Sequence, residues 1–239
     1  MIEQSVENIF GRAWDLLVRN PVILVPGLVV GLVFGVLTGI FTLPPPDLSD
    51  PSAICHVDLA ARGLNYVLLS AIGVLATIAN NAYTIGMSGA AWMRGTTTLR
   101  DGAAAFRAEG GRLFLAIVLL FIIEAVLTIL TLGIGALIFQ FFALYVFAAT
   151  VIGDDGFGRA MRESFAISTR RFVPTLVIVV SVFVIAIVVG IATIPLHFIP
   201  YLGPVVSAIV LQGVISLFNL VIVGEYLNAR NAADVVAAE

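Results

Sequence analysis

The sequence contains no lysine, one cysteine and two histidines, and only 11% of its 239 residues are charged. A soluble domain carries roughly 25% charged residues, so a water-facing globule is excluded. The single cysteine, Cys55, rules out a disulfide within the chain. All twelve basic residues are arginine, and fifteen acidic ones bring the net charge to −3. So small a basic complement argues against nucleic acid as a partner. Signatures of chemistry are missing as well. Gly86-Met87-Ser88-Gly89 lacks the glycine spacing of a nucleophile elbow and lies in an apolar run. Gly153 to Gly158 does not fit the dinucleotide fingerprint, and there is no phosphate-binding P-loop. Cys55, His56 and Asp58 are metal-capable types, with His197 expected on the same side, but three chain neighbours rarely converge as a tetrahedral site requires. No catalytic residue, metal site or cofactor is therefore expected.

What the chain has in abundance is apolar sequence, 60% of the total. A bilayer core about 30 Å thick is crossed by a helix of about 20 apolar residues. Runs of that kind fall at 21–43, 64–92, 113–132, 136–152, 173–195 and 204–226. Leu113 to Ile152 is forty residues long with Glu124 and Gln140 as its strongly polar members. At about 1.5 Å per residue such a helix would be twice a bilayer, so the run must fold back, and Gly133 and Gly135 supply the turn. Prolines 195 and 200 mark the last hairpin turn. Glu3 and Glu7 before the first run argue against a cleaved leader, so span one is expected to remain.

Six spans sort the arginines. Arg12 and Arg19 precede span one; Arg94, Arg100, Arg107 and Arg112 lie between spans two and three. Arg159, Arg162, Arg170 and Arg171 lie between spans four and five, and Arg230 follows span six, leaving only Arg62 opposite. By the positive-inside rule both termini are expected in the cytoplasm of a multi-pass plasma or inner membrane protein. Eleven carboxylates share that side and neutralise it formally, which argues against a polybasic lipid-sensing surface.

The expected fold is all-α: a single membrane domain over 1–239, six transmembrane helices and three cytoplasmic interfacial helices. Ile2, Val6, Ile9, Phe10, Ala13 and Leu17 form the apolar stripe of the first interfacial helix. Phe157, Ala160, Met161, Ser164, Phe165 and Phe172 form that of the third, which Asp155 is placed to N-cap. A shorter, alanine-rich one from Leu99 to Gly110 opens with Thr98 and Asp101 in capping-box spacing. Such helices lie in the headgroup layer with the apolar face down. Interfacial helix plus hairpin then repeats three times, at about 1–93, 94–153 and 154–239. Phe10-Gly11-Arg12-Ala13 and Phe157-Gly158-Arg159-Ala160 match letter for letter.

Two features stand out inside the spans. Gly27, Gly31, Gly35 and Gly39 share one stripe of span one. Small residues at that spacing let helices approach closely in lipid. The stripe serves packing within the fold, meets a homo-oligomer copy or another membrane protein, or lines a pore. Glu124 sits near the middle of span three, where an acid costs about 2.5–3.5 kcal/mol on insertion scales. Asn80 and Asn81 lie at similar depth, with Gln140, Gln212 and Asn219 as further partners. Glu124 is read either as a relay site for protons or solutes or as a neutral carboxyl bonded to Asn80 or Asn81. Thr77, Asn81, Thr84 and Ser88 share a stripe that lines a wet cavity or bonds a neighbouring helix. Glu225 is expected to reach headgroups or an arginine.

Asp154-Asp155-Gly156-Phe157-Gly158-Arg159-Ala160-Met161-Arg162-Glu163-Ser164-Phe165, directly after an aromatic-rich span, resembles a segment of a bacterial and archaeal six-span group. Phe10-Gly11-Arg12-Ala13-Trp14 followed by Arg19-Asn20-Pro21, and Gly95-Thr96-Thr97-Thr98-Leu99-Arg100, resemble other parts of it. The group includes the membrane domain attached to some glycerophosphodiester phosphodiesterases and related stand-alone proteins. The resemblance implies a membrane module beside lipid-headgroup metabolism and no activity here, since the phosphodiesterase domain has no counterpart. The function expected is a non-enzymatic integral membrane protein, a lipid-interacting or scaffold module whose partners are membrane lipids. The alternatives are a small-solute transporter or channel centred on Glu124, Asn80 and Asn81, and an embedded enzyme built on His56, Asp58 and His197.

Overall fold

The computed structural model describes residues 4–41, 59–199 and 202–238. Cys55, His56, Asp58 and the side chain of His197 lie outside the described residues. All the regular structure among the described residues is helical, and six of the helical segments are long and apolar enough to cross a membrane. In chain order these are Pro21–Phe41, Arg62–Arg94, Leu99–Thr131, Ile134–Ile152, Phe172–Leu196 and Leu202–Ala232. They fall on the six apolar runs of the sequence.

Helix α1 (Val6–Arg19) opens with the Ser5 hydroxyl accepting the Asn8 N–H at 3.4 Å. It stops at Asn20, where Pro21 starts a 3₁₀ turn that leads into α2 (Val25–Phe41). Proline suits that place because a first-turn N–H has no helical partner to lose. Helix α3 (Leu59–Arg94) and α4 (Leu99–Thr131) meet at Gly95, whose φ of +79° closes the turn. The capping box expected at Thr98 is present: the Thr98 N–H donates to Asp101 Oδ2 at 2.8 Å. Leu99–Gly110 is not a separate helix, however. It forms the first three turns of α4, whose helix runs on unbroken through Gly110 and Gly111 to Thr131.

The turn after α4 uses Leu132 (φ 51°) and Gly133 (φ 90°), and the Gly133 N–H returns to the Thr128 carbonyl at 3.0 Å. The Leu132 N–H donates to the same carbonyl, so two donors close the helix end on Thr128. Span four is broken, which its composition does not announce: α5 (Ile134–Ala143) stops and α6 (Val146–Ile152) restarts at Tyr145. Backbone freed inside a span must find other partners. Helix α7 (Phe157–Arg170) provides them with two serines one turn apart. Ser164 Oγ donates to the Phe142 carbonyl (2.6 Å) and accepts the Tyr145 N–H (3.0 Å), and Ser168 Oγ donates to the Phe141 carbonyl (3.1 Å). The N-cap of α7 is Gly156 rather than Asp155, whose carboxylate instead pairs with Arg159 at 3.3 Å. Helix α8 (Phe172–Thr193) and α9 (Leu202–Ala238) complete the chain.

The buried core gathers at the arginine-rich end, around Tyr145, Tyr226, Ile9, Ile23 and Met87. Helix α1 does not turn its whole apolar face outward. Ile9, Ala13, Leu16 and Leu17 are buried and α1 packs on α9, while Trp14 and Val18 remain exposed. On α7 the buried set is Ala160, Ser164, Ile167 and Ser168. Those four positions lie 151 residues beyond the α1 set, whereas the Phe-Gly-Arg-Ala match is spaced by 147. The lettered match is thus displaced by one helical turn from the shared burial pattern. Arg12 lies over the Trp92 ring at 4.7 Å, and Trp92 Nε1 donates to the Leu220 carbonyl at 2.8 Å.

Helix α2 packs its glycine stripe on α9. A Cβ at Gly31 would stand 2.7 Å from Ile209 Cα, one at Gly35 2.5 Å from Val205 Cα, and one at Gly27 2.7 Å from the Gln212 carbonyl oxygen. Gly39 is half-buried at the far end. Of the uses expected for the stripe, packing within the fold is the one found, because α9 occupies the contact distance that the missing side chains create.

Candidate functional site

Five helices close into a ring: α3 touches α4, α4 touches α5, α5 touches α8, α8 touches α9, and α9 returns to α3. The ring surrounds a cavity of about 940 Å³. Its walls are apolar, with Val74, Ile117, Leu120, Phe147, Val182, Phe218 and Ile222 among them. Besides the Tyr66 ring, six polar side chains face it: Ser70, Thr77 and Asn81 from α3, Glu124 from α4, Gln140 from α5 and Asn219 from α9.

Helical spacing explains why α3 and α9 contribute polar groups on one line. Thr77, Asn81, Thr84 and Ser88 recur every three or four residues on α3, and Gln212, Ser216 and Asn219 do so on α9. Facing each other, they bond. Asn80 Nδ2 donates to Gln212 Oε1 at 2.6 Å, and Ser216 Oγ donates to Asn80 Oδ1 at 3.3 Å. Asn219 Nδ2 donates to Asn81 Oδ1 at 2.8 Å and to Thr84 Oγ1 at 2.7 Å. Every one of these bonded side chains is buried. Interhelical bonds of this kind contribute about 0.6 kcal/mol each in lipid. Asn81 and Asn219 are thereby locked together as the floor of the cavity, with the packed core beneath.

The expected polar centre of Glu124, Asn80 and Asn81 is divided in the structure. Asn80 is committed to α9 and does not line the cavity. Asn81 reaches the cavity but bonds to Asn219. Glu124 stands across the space on α4, half-buried, with Gln140 of the hairpin partner on the same wall. The carboxylate forms no ion pair with any described residue. It lies twelve residues beyond Arg112, or about 18 Å along the helix at ~1.5 Å per residue. Glu124 also lines a hollow of about 350 Å³ on the outer side of α4 with Phe121, Thr128 and Ile129. It is therefore a rim residue between the cavity and the surface of the bundle.

A second cluster, at the arginine-rich end, holds the chain together. Arg171 and Glu225 form an ion pair with side chains 9% and 0% exposed. Of the two readings for Glu225, the arginine is the partner found, and burial removes it from headgroups. Arg171 Nη2 also donates to the Gln4 carbonyl at 3.3 Å, while the Asn228 amide exchanges two 3.2 Å bonds with the Gln4 backbone. Nearby, Tyr226 Oη donates to Glu163 at 3.2 Å, and Arg230 Nη1 donates to Tyr226 Oη at 3.1 Å. Burial, then the neighbouring Asp155, hold the Glu163 carboxyl above its ordinary value of 4.5. The bonding roles of Ser216 and Ser164 are not announced by the sequence, because serine is common in spans. Their signal is the shared face with Gln212 and Asn219, or with Ser168.

Among the described residues no three His, Cys, Asp or Glu side chains converge as metal ligands. No family model matches the chain, and no curated protein or solved structure matches it either. What architecture and site define is a class: an all-helical protein with six helices able to cross a membrane and a mostly apolar cavity ringed by five of them.

Proposed function

We propose that the protein is a non-enzymatic integral membrane module that binds an amphiphilic molecule from the bilayer in the cavity between α3, α4, α5, α8 and α9. The observation that carries this reading is the cavity: about 940 Å³, apolar walls, and six polar side chains, two of them tied off as a floor. Ligand sites are typically about 300–1,000 Å³ with a few placed polar groups. The arginine distribution supports cytoplasmic termini in a plasma or inner membrane. A repeated unit of helix plus hairpin is supported by the 151-residue recurrence of buried positions in α1 and α7. A role beside lipid-headgroup metabolism is what the resemblance of the cytoplasmic segments supports. The test is whether purified protein carries an amphiphile. Native mass spectrometry is expected to find one bound, and Ala186→Phe, which places a ring in the cavity, is expected to release it. An unchanged bound fraction in that variant overturns the reading.

A transporter reading is favoured by one observation, the carboxylate at mid-span. In a Cys55→Ala background carrying Glu124→Cys, an impermeant thiol reagent separates the two. Protection from both sides, with the variant still folded, leaves the binding module ahead; labelling shows a water path and puts transport first.

A further inference from the structure

The chemistry of the cavity says more than that an amphiphile fits. Among the described residues that line it, Glu124 is the only one with a carboxyl group, and neither an arginine nor a histidine shares the space. A carboxylate in a low-dielectric wall without a protein counter-ion is costly, and a bound cation relieves that cost while keeping the group ionised. Aromatic faces attract cations as well, and Tyr66, Phe121, Phe147 and Phe218 line the same space. A phosphate, by contrast, would enter with nothing to neutralise it.

The route is also legible. Glu124 belongs to both the cavity and the hollow on the outer face of α4. The neighbours that bound the rim, Phe121 and Ile129, are 61% and 77% exposed, and Tyr66 is 75% exposed. In a membrane those faces meet lipid, so the carboxylate is reachable sideways from the bilayer. The floor is closed by the Asn81–Asn219 pair.

Resting on the proposal that the cavity binds an amphiphile, we infer that its ligand is a phosphate-free lipophilic cation, an amine or onium group on an apolar body, that enters laterally from the bilayer and pairs its charge with Glu124. The probe is radiolabelled tetraphenylphosphonium, and the comparator is tetraphenylborate, its counterpart of opposite charge; both are measured on full-length protein in mild detergent. Saturable binding of the cation, at least tenfold weaker for the anion and at least tenfold weakened by Glu124→Gln, is the expected result. Displacement by dodecylamine but not by dihexanoylphosphatidylethanolamine is expected of a phosphate-free ligand. Equal displacement by the phospholipid overturns that clause and makes a lipid headgroup amine the source. The two-ion comparison uses the unmodified chain, so it stands even where Glu124→Gln fails to fold. If both ions bind equally and Ala186→Phe removes both, the cavity is a binding site and the cation inference is wrong. If neither ion binds and Ala186→Phe leaves the co-purified amphiphile unchanged, the binding reading itself is lost.

Discussion

Substituting alanine at Gly31 sets two known effects against each other. Within a helix, alanine is favoured over glycine by about 0.8–1 kcal/mol, so a solvent- or lipid-facing glycine gains from the change. At Gly31 the new methyl would stand 2.7 Å from Ile209 Cα and 2.8 Å from the Ala208 carbonyl oxygen. Both obstacles are backbone, so α2 and α9 must separate along their whole contact. Overpacking of this kind costs about 1–3 kcal/mol, which exceeds the propensity gain and leaves a net loss of up to about 2 kcal/mol. Gly190 and Gly213 supply the control, since a Cβ there meets nothing within 4 Å. Thermal unfolding in detergent is expected to place Gly31→Ala and Gly35→Ala below the parent, and Gly190→Ala and Gly213→Ala level with it or above. Light scattering in the same buffer reads the oligomeric state, which is expected to stay unchanged across the series. A neutral Gly31→Ala, or one that changes oligomeric state without losing stability, would refute the reasoning that α9 fills this face.

The same contacts set three more outcomes. Removing one partner of a buried ion pair costs about 3–5 kcal/mol, so Arg171→Ala and Glu225→Ala should each lower the unfolding temperature sharply. A double variant no worse than either single one identifies the pair as one unit, and additive losses would deny it. Gly224→Ala would drive a methyl into the Trp92 ring; the ring must leave its bond to the Leu220 carbonyl, and a shift in tryptophan fluorescence should report it, with an unshifted spectrum counting against that packing. Glu163, raised in the folded state by burial and by Asp155, stabilises the fold while protonated. Its contribution is complete below its ordinary value of 4.5 and fades as pH rises through the raised folded value. Unfolding temperature should therefore fall over that window, and Glu163→Gln should flatten the slope; an equal slope in the variant assigns it elsewhere.

Hydropathy is a property of single residues summed along the chain. Six apolar runs, the fold-back at Gly133, the capping box at Thr98 and the sorting of arginines were therefore all legible before any helix met another. Partner choice is different, because it depends on how each helix is rotated and which neighbour it faces. Asn80 and Glu124 sit at similar depth in the sequence, yet one bonds to Gln212 and the other faces a cavity. Glycines every fourth residue announced a close contact, but only packing assigned it to α9. The Phe-Gly-Arg-Ala match suggested a register that burial moves by a turn. The break at Tyr145 has no local cause in composition; it exists because Ser164 and Ser168 of α7 take the carbonyls that α5 gives up. The six helices able to cross a membrane came from the sequence through local free energies of transfer, whereas the cavity arose from long-range packing that no local pattern encodes.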